Sequence, residues 1–192
     1  MSRITLTFGG KKFKATETTK QLTKFGNQWL GNARRSLTAS DAKATGDLYN
    51  SLPDEPRIFQ DGKTFGIDIT PTVPYWEYVD KGVQGAKRNI FPRQNESPFR
   101  YTTKMPPAGP IDRWMNVKGV SPRDSAGRFT SRKSMQYLIR RSIYTRGLKP
   151  RLFITGTKER IEKKAVQGIG RGVSKDIANA MRQMIKDNGN NS

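Results

Sequence analysis

The chain has 192 residues, of which 36 are Lys or Arg and 16 are Asp or Glu, so its formal net charge at pH 7 is +20. It contains no Cys and no His, which excludes disulfide bonds and thiolate metal sites and removes the most common general base. Only 33% of the residues are hydrophobic, and no apolar run approaches the roughly 18 residues of a membrane span, so we expect a thin core and no membrane partner.

Two periodicities at the start of the chain predict a β-hairpin followed by a helix. Apolar residues alternate along residues 3–16 on both sides of a Gly-Gly pair, which is typical of a hairpin. From residue 17 to residue 38 the apolar positions recur every three or four residues, which predicts an amphipathic helix. Either Thr16 or Thr18 is expected to cap its first turn.

The middle of the chain is less regular. Residues 39–56 are predicted as a loop with one short ordered piece, and the alternation in residues 63–70 predicts a half-buried strand. Residues 83–130 are rich in Pro and Arg and lack a clear period, so we predict a basic, extended insertion or arm there. Within it, residues 111–117 are predicted as a short helix.

The last part of the chain is predicted to be mainly helical. Residues 131–146 form one predicted helix, which Gly147 ends. Residues 152–154 are predicted as a short strand, and a long helix follows over residues 158–187. The element order predicts a single domain of the α+β class, in which an antiparallel β-sheet packs against the N-terminal helix and the long C-terminal helix.

Most of the positive charge lies in residues 81–151, where the net charge is +14, against +2 in residues 1–80 and +4 in residues 152–192. Three interpretations of this segment stay open: a solvated face, a surface for a nucleic-acid backbone, and a surface for an acidic protein. The interleaving of arginines with Pro and aromatic residues favours the protein surface. The candidate partner-binding residues are Arg88, Arg93, Arg100, Arg123, Arg128, Arg132, Arg140 and Arg141.

No arrangement of residues predicts catalysis. The nearest approach to an acidic cluster for Mg²⁺ is formed by Asp47, Asp54, Glu55, Asp61, Asp68, Glu77 and Asp80. Their mutual spacing favours no metal site, so we expect no enzymatic activity, no metal and no cofactor. The glycines at 168, 170 and 172 follow no predicted strand and are therefore interpreted as a loosely packed stretch of helix.

Three segments, in this order, resemble signatures of the tail-completion and head–tail connector (neck) proteins of tailed bacteriophages. Residues 45–52 (TGDLYNSL) are similar to the signature TG.L..S, and residues 73–82 (VPYWEYVDKG) are similar to Y..Y.E.G. Residues 146–154 (RGLKPRLFI) are similar to RG.KPRPF, which precedes the last helix in that family. The sequence departs from the pattern at Asp80-Lys81 and in the length and basic character of residues 83–130.

The resemblance implies a structural virion protein that forms a ring, as a hexamer or a dodecamer, between the head and the tail. Its implied partners are the portal or connector and the tail proteins, with contact to packaged DNA as a further expectation. It would be assembled in the host cytoplasm and located in the neck or tail region of the virion.

The resemblance also suggests roles for the aromatic segment at residues 75–78. Tyr75, Trp76 and Tyr78 are expected to lie either in the core or at a seam between subunits, and Glu77 is expected to fix a turn. An alternative function is a stand-alone, sequence-independent nucleic-acid-binding protein, which the +14 segment supports. A hydrolase or nuclease that uses the scattered carboxylates is a third hypothesis with little support.

Overall fold

The computed structural model describes residues 4–8, 10–40, 46–61, 64–121, 123, 127, 128 and 131–189. The predicted α+β class is confirmed: the structure is 56% helical, with short antiparallel strand pairs, an N-terminal helix and a long C-terminal helix. Within the described residues the strands form three separate two-stranded sheets instead of one continuous sheet.

The helices and strands follow in this order along the chain. They are β1 (Thr5–Phe8), β2 (Lys11–Lys14), α1 (Thr16–Ala39), α2 (Asp47–Asn50), β3 (Arg57–Asp61), β4 (Thr64–Asp68), α3 (Trp76–Lys81), β5 (Val83–Gln84), a 3₁₀ turn (Gln94–Glu96), α4 (Ala108–Val117), α5 (Arg132–Arg146), β6 (Gly147–Leu148) and α6 (Thr155–Gly189). The antiparallel pairs are β1–β2, β3–β4 and β5–β6.

The chain divides into two compact units. Unit 1 contains residues 1–33, 52–70 and 156–192, and unit 2 contains residues 34–51 and 71–155. Unit 1 has 16 Lys or Arg and 9 Asp or Glu, whereas unit 2 has 20 and 7. The single domain and the arm over residues 83–130 stay predictions.

Unit 1 has an apolar cluster at the start of the chain. Gly10, at φ 78°, turns the hairpin, and the buried residues of the cluster are Ile4, Ala15 and Leu22. The side chain of Gln60 links β3 to β1, because it accepts a hydrogen bond from Thr5 N (2.9 Å) and donates one to Thr5 O (3.0 Å). The partly buried side chains on this cluster are Leu6, Ile58, Phe65, Ile67 and Ile169.

Two glycines of α6 lie in close contact with α1. A Cβ atom at Gly168 would lie 2.5 Å from the ring of Phe25, and one at Gly172 would lie 3.0 Å from Glu17 O. The prediction of a loosely packed stretch is therefore wrong at these two positions, where the missing side chains allow the helices to approach. Gly170 has open space beside it.

A carboxylate from α6, and not a threonine of its own first turn, caps α1. Asp176 is 5% exposed and accepts hydrogen bonds from Glu17 N (3.0 Å), Thr18 N (2.8 Å) and Thr18 Oγ1 (2.7 Å). The first amides of a helix have no partner within the helix, and the helix dipole favours a negative charge there. The predicted capping role of Thr16 or Thr18 is thus filled from a distant part of the sequence.

Residues 152–154 do not form the predicted strand. Leu152 has φ 52°, which is a left-handed conformation and ends any extended run. Phe153 and Ile154 are buried immediately before α6, so their apolar character reflects packing. The strand of this region is Gly147–Leu148. Elsewhere, a strand was predicted at residues 63–70, but its partner strand was not: β4 pairs with β3.

Candidate interaction surface

Residues 46–51, 73–82 and 146–154, from the three segments that resemble neck-protein signatures, come together in unit 2. Arg151 N donates to Val79 O (3.0 Å), Leu152 N donates to Asp80 O (2.9 Å), and β5 pairs with β6 directly after them. At the first segment, Ser51 O accepts a hydrogen bond from Thr72 N (3.1 Å). These contacts join residues 46–51, 72–84 and 147–155 into one structure.

Asp80 is the residue that fixes the turn in this region. It is buried, and its carboxylate accepts hydrogen bonds from Ile154 N (2.7 Å) and Thr155 N (3.3 Å) at the start of α6. Desolvation raises the pKa of the Asp80 carboxyl, and the hydrogen bonds from Ile154 and Thr155 and the charge of Lys81 oppose that rise. The role expected of Glu77 therefore belongs to Asp80, while Glu77 forms a surface ion pair with Lys81 (2.8 Å).

The aromatic segment at residues 75–78 lies at the surface. Tyr75 is 41% exposed and Tyr78 is 45% exposed, while Trp76 is half-buried. The Tyr78 ring contacts the ring of Phe99 with centroids 4.3 Å apart. Burial and the Asp47 carboxylate raise the pKa of the Tyr75 hydroxyl. Tyr75 and Tyr78 are thus not core residues, and their place at a subunit seam stays a prediction.

A buried glutamine organises the first part of the basic segment. Gln94 is fully buried, and its Oε1 accepts hydrogen bonds from Ile90 N (3.0 Å) and Phe91 N (3.1 Å). Its Nε2 donates to Val83 O (2.7 Å) and Arg146 O (2.7 Å). All four hydrogen-bonding positions of the amide are used, so this side chain ties β5 and a surface turn to the end of α5.

The same segment caps the C-terminus of α5. Ala86 N donates to Tyr144 O (2.8 Å), and Lys87 N and Arg88 N both donate to Thr145 O (3.2 Å each). The last carbonyls of a helix lack partners within the helix, so these amides supply them. Residues 83–94 are therefore folded back onto α5, although their sequence has no helical or strand period.

Helices α4 and α5 pack against each other through polar side chains. Arg132 Nε donates to Asp112 Oδ1 (2.8 Å) and Arg132 Nη2 donates to Asn116 Oδ1 (2.7 Å). Further along, Gln136 Nε2 donates to Ala108 O (3.0 Å) and Arg140 Nε donates to Pro106 O (2.7 Å). Advancing along α5 therefore means going back along α4, so the two helices are antiparallel.

The structure separates the eight predicted arginines by their contacts. Arg132 and Arg140 hold α4 and α5 together, Arg93 pairs with Glu96 (2.8 Å), and Arg123 Nη1 donates to Gly127 O (2.9 Å). The exposed members of the set also include Arg88, Arg100, Arg128 and Arg141. Because Arg132 and Arg140 make structural contacts, they are poor candidates for binding a partner.

One face of the α4–α5 pair combines positive charge with exposed apolar side chains. Residues 112 and 116 of α4 face residues 132, 136 and 140 of α5. The residue that follows each of these is rotated from it by about 100° around the axis of its helix. Because the two helices are antiparallel, the following residues of α4 and the following residues of α5 lie on the same side of the pair. We call this side, opposite the buried Met115, the α4–α5 face; it consists of Arg113, Val117, Lys133, Tyr137 and Arg141.

Helices α4 and α5 themselves carry little acidic charge. Helix α4 contains one carboxylate, Asp112, which is bound to Arg132, and α5 contains none. Val117 is 50% exposed and Tyr137 is 48% exposed, and Leu138 and Trp114 flank the face at 55% and 39%. The partner-binding residues selected from the sequence did not include Arg113, Val117, Lys133 or Tyr137, although their spacing of four on each helix is visible in the sequence.

The carboxylates considered for a metal do not assemble into a site. Asp47, Glu77 and Asp80 belong to unit 2, whereas Asp54, Glu55, Asp61 and Asp68 belong to unit 1. Among the residues that the structure describes, no group of three or more Asp, Glu, His or Cys side chains is placed to hold a metal ion. Across the same residues, no helix is both long enough and apolar enough to span a membrane.

Comparisons with protein-family models, with curated proteins and with solved structures identify no match to this chain.

Proposed function

We propose that this chain is a structural protein of a tailed bacteriophage virion, and that it forms part of the neck ring that joins the head to the tail. The observation that carries the proposal is the meeting of the three signature-like segments in unit 2. Residues 72–84 bind residues 147–155 through main-chain hydrogen bonds and through Asp80. Signatures that recur in a fixed order in one family are expected to build one local structure.

The way the chain uses its apolar residues also supports assembly with neighbours. Met135, Leu138, Ile139 and Ile143 were predicted to form the apolar face of α5; Met135, Ile139 and Ile143 are half-buried, whereas Leu138 is exposed. Leu138 is 55% exposed, and Tyr137 beside it is 48% exposed. Adjacent exposed apolar groups such as Tyr137 and Leu138 are typical of a surface that another protein covers.

In this role the chain works as a ring of six or twelve copies, with the portal or connector on one side and the tail on the other. The exposed Tyr75 and Tyr78 are suited to a seam between copies, because half-exposed aromatic side chains are enriched at protein interfaces. The basic unit 2 is suited to acidic neighbours or to the packaged genome.

Disruption of the gene in the phage that encodes this chain tests the proposal. Electron microscopy of the lysate is expected to show DNA-filled heads and tails that are not joined, and a plasmid copy of the gene should restore complete particles. Normal, infectious particles without the protein would show that it is not a neck component.

A sequence-independent nucleic-acid-binding protein remains the second candidate, because unit 2 has 20 basic and 7 acidic residues and exposes Arg88, Arg100 and Arg141. Phosphate contacts of this kind lose affinity steeply with salt. Tight binding of duplex DNA by the purified chain, combined with normal particles from the disrupted phage, would favour this candidate.

A further inference from the structure

We propose that the α4–α5 face is a docking surface for an acidic amphipathic helix of another protein. The face consists of Arg113, Val117, Lys133, Tyr137 and Arg141. The chemistry of the partner is inferred from these side chains and their placement, and it holds whether or not the chain is a virion protein. The inference goes beyond the neck function because it names one surface and the chemistry of the segment that binds it.

The positive charges of the face have no carboxylate of α4 or α5 left to neutralise them. Asp112 is the one carboxylate on these helices, and it accepts hydrogen bonds from Arg132 Nε at 2.8 Å. Arg113, Lys133 and Arg141 lie on the outer side of the pair and are exposed. A partner that presents carboxylates complements this charge and is guided to the surface by it.

The apolar side chains of the face indicate a protein and not a nucleic-acid backbone. Val117 is 50% exposed, and Leu138 beside the face is 55% exposed. A phosphate backbone is bound by cations and hydrogen-bond donors and gains nothing from Val or Leu. Tyr137 at 48% and Trp114 at 39% exposure add the residue types that dominate the binding energy of protein interfaces.

The dimensions of the face suit a helix. Lys133, Tyr137 and Arg141 succeed one another every four residues and therefore extend over about 12 Å, which is about two turns of a partner helix. The packing of α4 on α5 gives the face two rows of side chains, with Arg113 and Val117 in the second row. A symmetric contact of this face with the same face of a second copy is disfavoured, because Arg113, Lys133 and Arg141 would lie against positive charges of their own kind.

Fluorescence anisotropy with the full chain tests the proposal directly. The probes are a labelled peptide that places Leu along one face of a helix with Glu on both flanks of that face, a peptide of the same composition in scrambled order, and a short DNA duplex. We expect the amphipathic peptide to bind at least tenfold more tightly than the scrambled one, roughly 1.4 kcal/mol.

Matched variants distinguish a specific face from general electrostatic attraction. Arg113→Gln/Arg141→Gln and Lys164→Gln/Lys175→Gln each remove two exposed positive charges, the second pair from α6. The first double variant is expected to weaken peptide binding by about tenfold or more, and the second by less than about twofold. Tyr137→Ala, at an exposed site, should also cost about tenfold while the circular dichroism melting curve stays unchanged.

Several results would overturn the proposal. They are failure of the amphipathic peptide to bind, equal binding of the two peptides, or equal losses in the two double variants. Binding of the duplex in preference to both peptides, with losses that follow only the number of charges removed, would make the surface a phosphate-binding one. Self-association in light scattering that Tyr137→Ala abolishes would assign the face to a second copy of the chain.

Discussion

The contacts that stabilise unit 1 internally differ from those that stabilise unit 2 internally. In unit 1, glycines at 168 and 172 bring α6 against α1, and an apolar cluster fills the space next to the hairpin. Unit 1 also has a buried carboxylate, Asp176, at the start of α1, whereas in unit 2 the buried side chains of Asp80 and Gln94 bind the main chain of several loops and helix ends. Polar contacts of this kind fix irregular loops in unit 2, while Tyr137 and Leu138 of α5 stay exposed.

The largest decrease in the free energy of unfolding is expected for a substitution at Gln94 in unit 2. In Gln94→Glu, a carboxylate oxygen replaces the amide nitrogen that donates to Val83 O and Arg146 O, so three acceptors face one another in a buried place. We expect a loss of about 3 kcal/mol in the free energy of unfolding.

Urea denaturation and amide hydrogen exchange measure this loss. Faster exchange is expected first in residues 83–99, which the Gln94 amide connects. A variant as stable as the wild type, with unchanged exchange in that segment, would mean that Gln94 does not organise unit 2. Gln84→Glu, at a side chain that is only half-buried, is the matched control and should cost less.

The next largest effect is expected in unit 1, at the carboxylate that caps α1. Asp176→Ala leaves the amides of Glu17 and Thr18 and the Thr18 hydroxyl without their acceptor, and we expect a loss of about 2 kcal/mol. The control is Asp187→Ala, which removes an exposed ion pair with Lys11 (3.6 Å) and should cost less than about 0.5 kcal/mol. Equal losses in the free energy of unfolding for Asp176→Ala and Asp187→Ala, measured by chemical denaturation, would contradict the capping role of Asp176.

Two glycine substitutions test whether α1 and α6 need their close approach. Gly168→Ala places a methyl group against the Phe25 ring and is expected to destabilise unit 1 by about 1–2 kcal/mol. Gly170→Ala has open space and should stabilise the helix by about 0.5–1 kcal/mol. Thermal unfolding of the two variants should therefore shift in opposite directions, and shifts of the same sign would mean that the close approach is not needed.

The smallest effect concerns the pH dependence that Asp80 gives to unit 2. Because burial raises the pKa of Asp80 in the folded chain above its ordinary value of 3.8, the native state binds a proton more readily than the unfolded state. The contribution of Asp80 to the free energy of unfolding therefore increases as the pH falls from neutral through the raised pKa.

Asp80→Asn removes this titration and keeps one oxygen acceptor for Ile154 N. The stability of the wild type relative to this variant should rise as the pH is lowered in chemical denaturation experiments. A difference that stays constant, or that falls with decreasing pH, would show that the Asp80 carboxyl is not held in a desolvated site.

Periodic patterns explain which parts of the fold were predictable from sequence. The hairpin and helices α1, α5 and α6 follow from apolar periods, and their ends agree with the prediction within three residues. The positions of Asp80, Gln94 and Asp176 carry no such pattern, because each side chain binds at least one group that lies far away in the sequence: Thr18 and Asp176 are 158 residues apart. The strand predicted at 152–154 was wrong because an apolar run does not reveal the left-handed conformation of Leu152.

The candidate surface was only partly predictable for a related reason. Composition located the positive charge in residues 81–151 and the exposed Arg141 within it. It did not distinguish Arg132 and Arg140, whose guanidinium groups bind α4 and the segment before it, from arginines that face solvent. The side on which a helical residue lies depends on the neighbouring helix, and that contact is fixed only in three dimensions.

The proposed neck function is tested most directly by an electron cryomicroscopy reconstruction of the neck of the phage to which the proposal assigns this chain. The account predicts a ring of six or twelve copies between the portal and the tail, with the α4–α5 face covered by a helix of a neighbouring protein. A complete neck that contains no copy of this chain would contradict it.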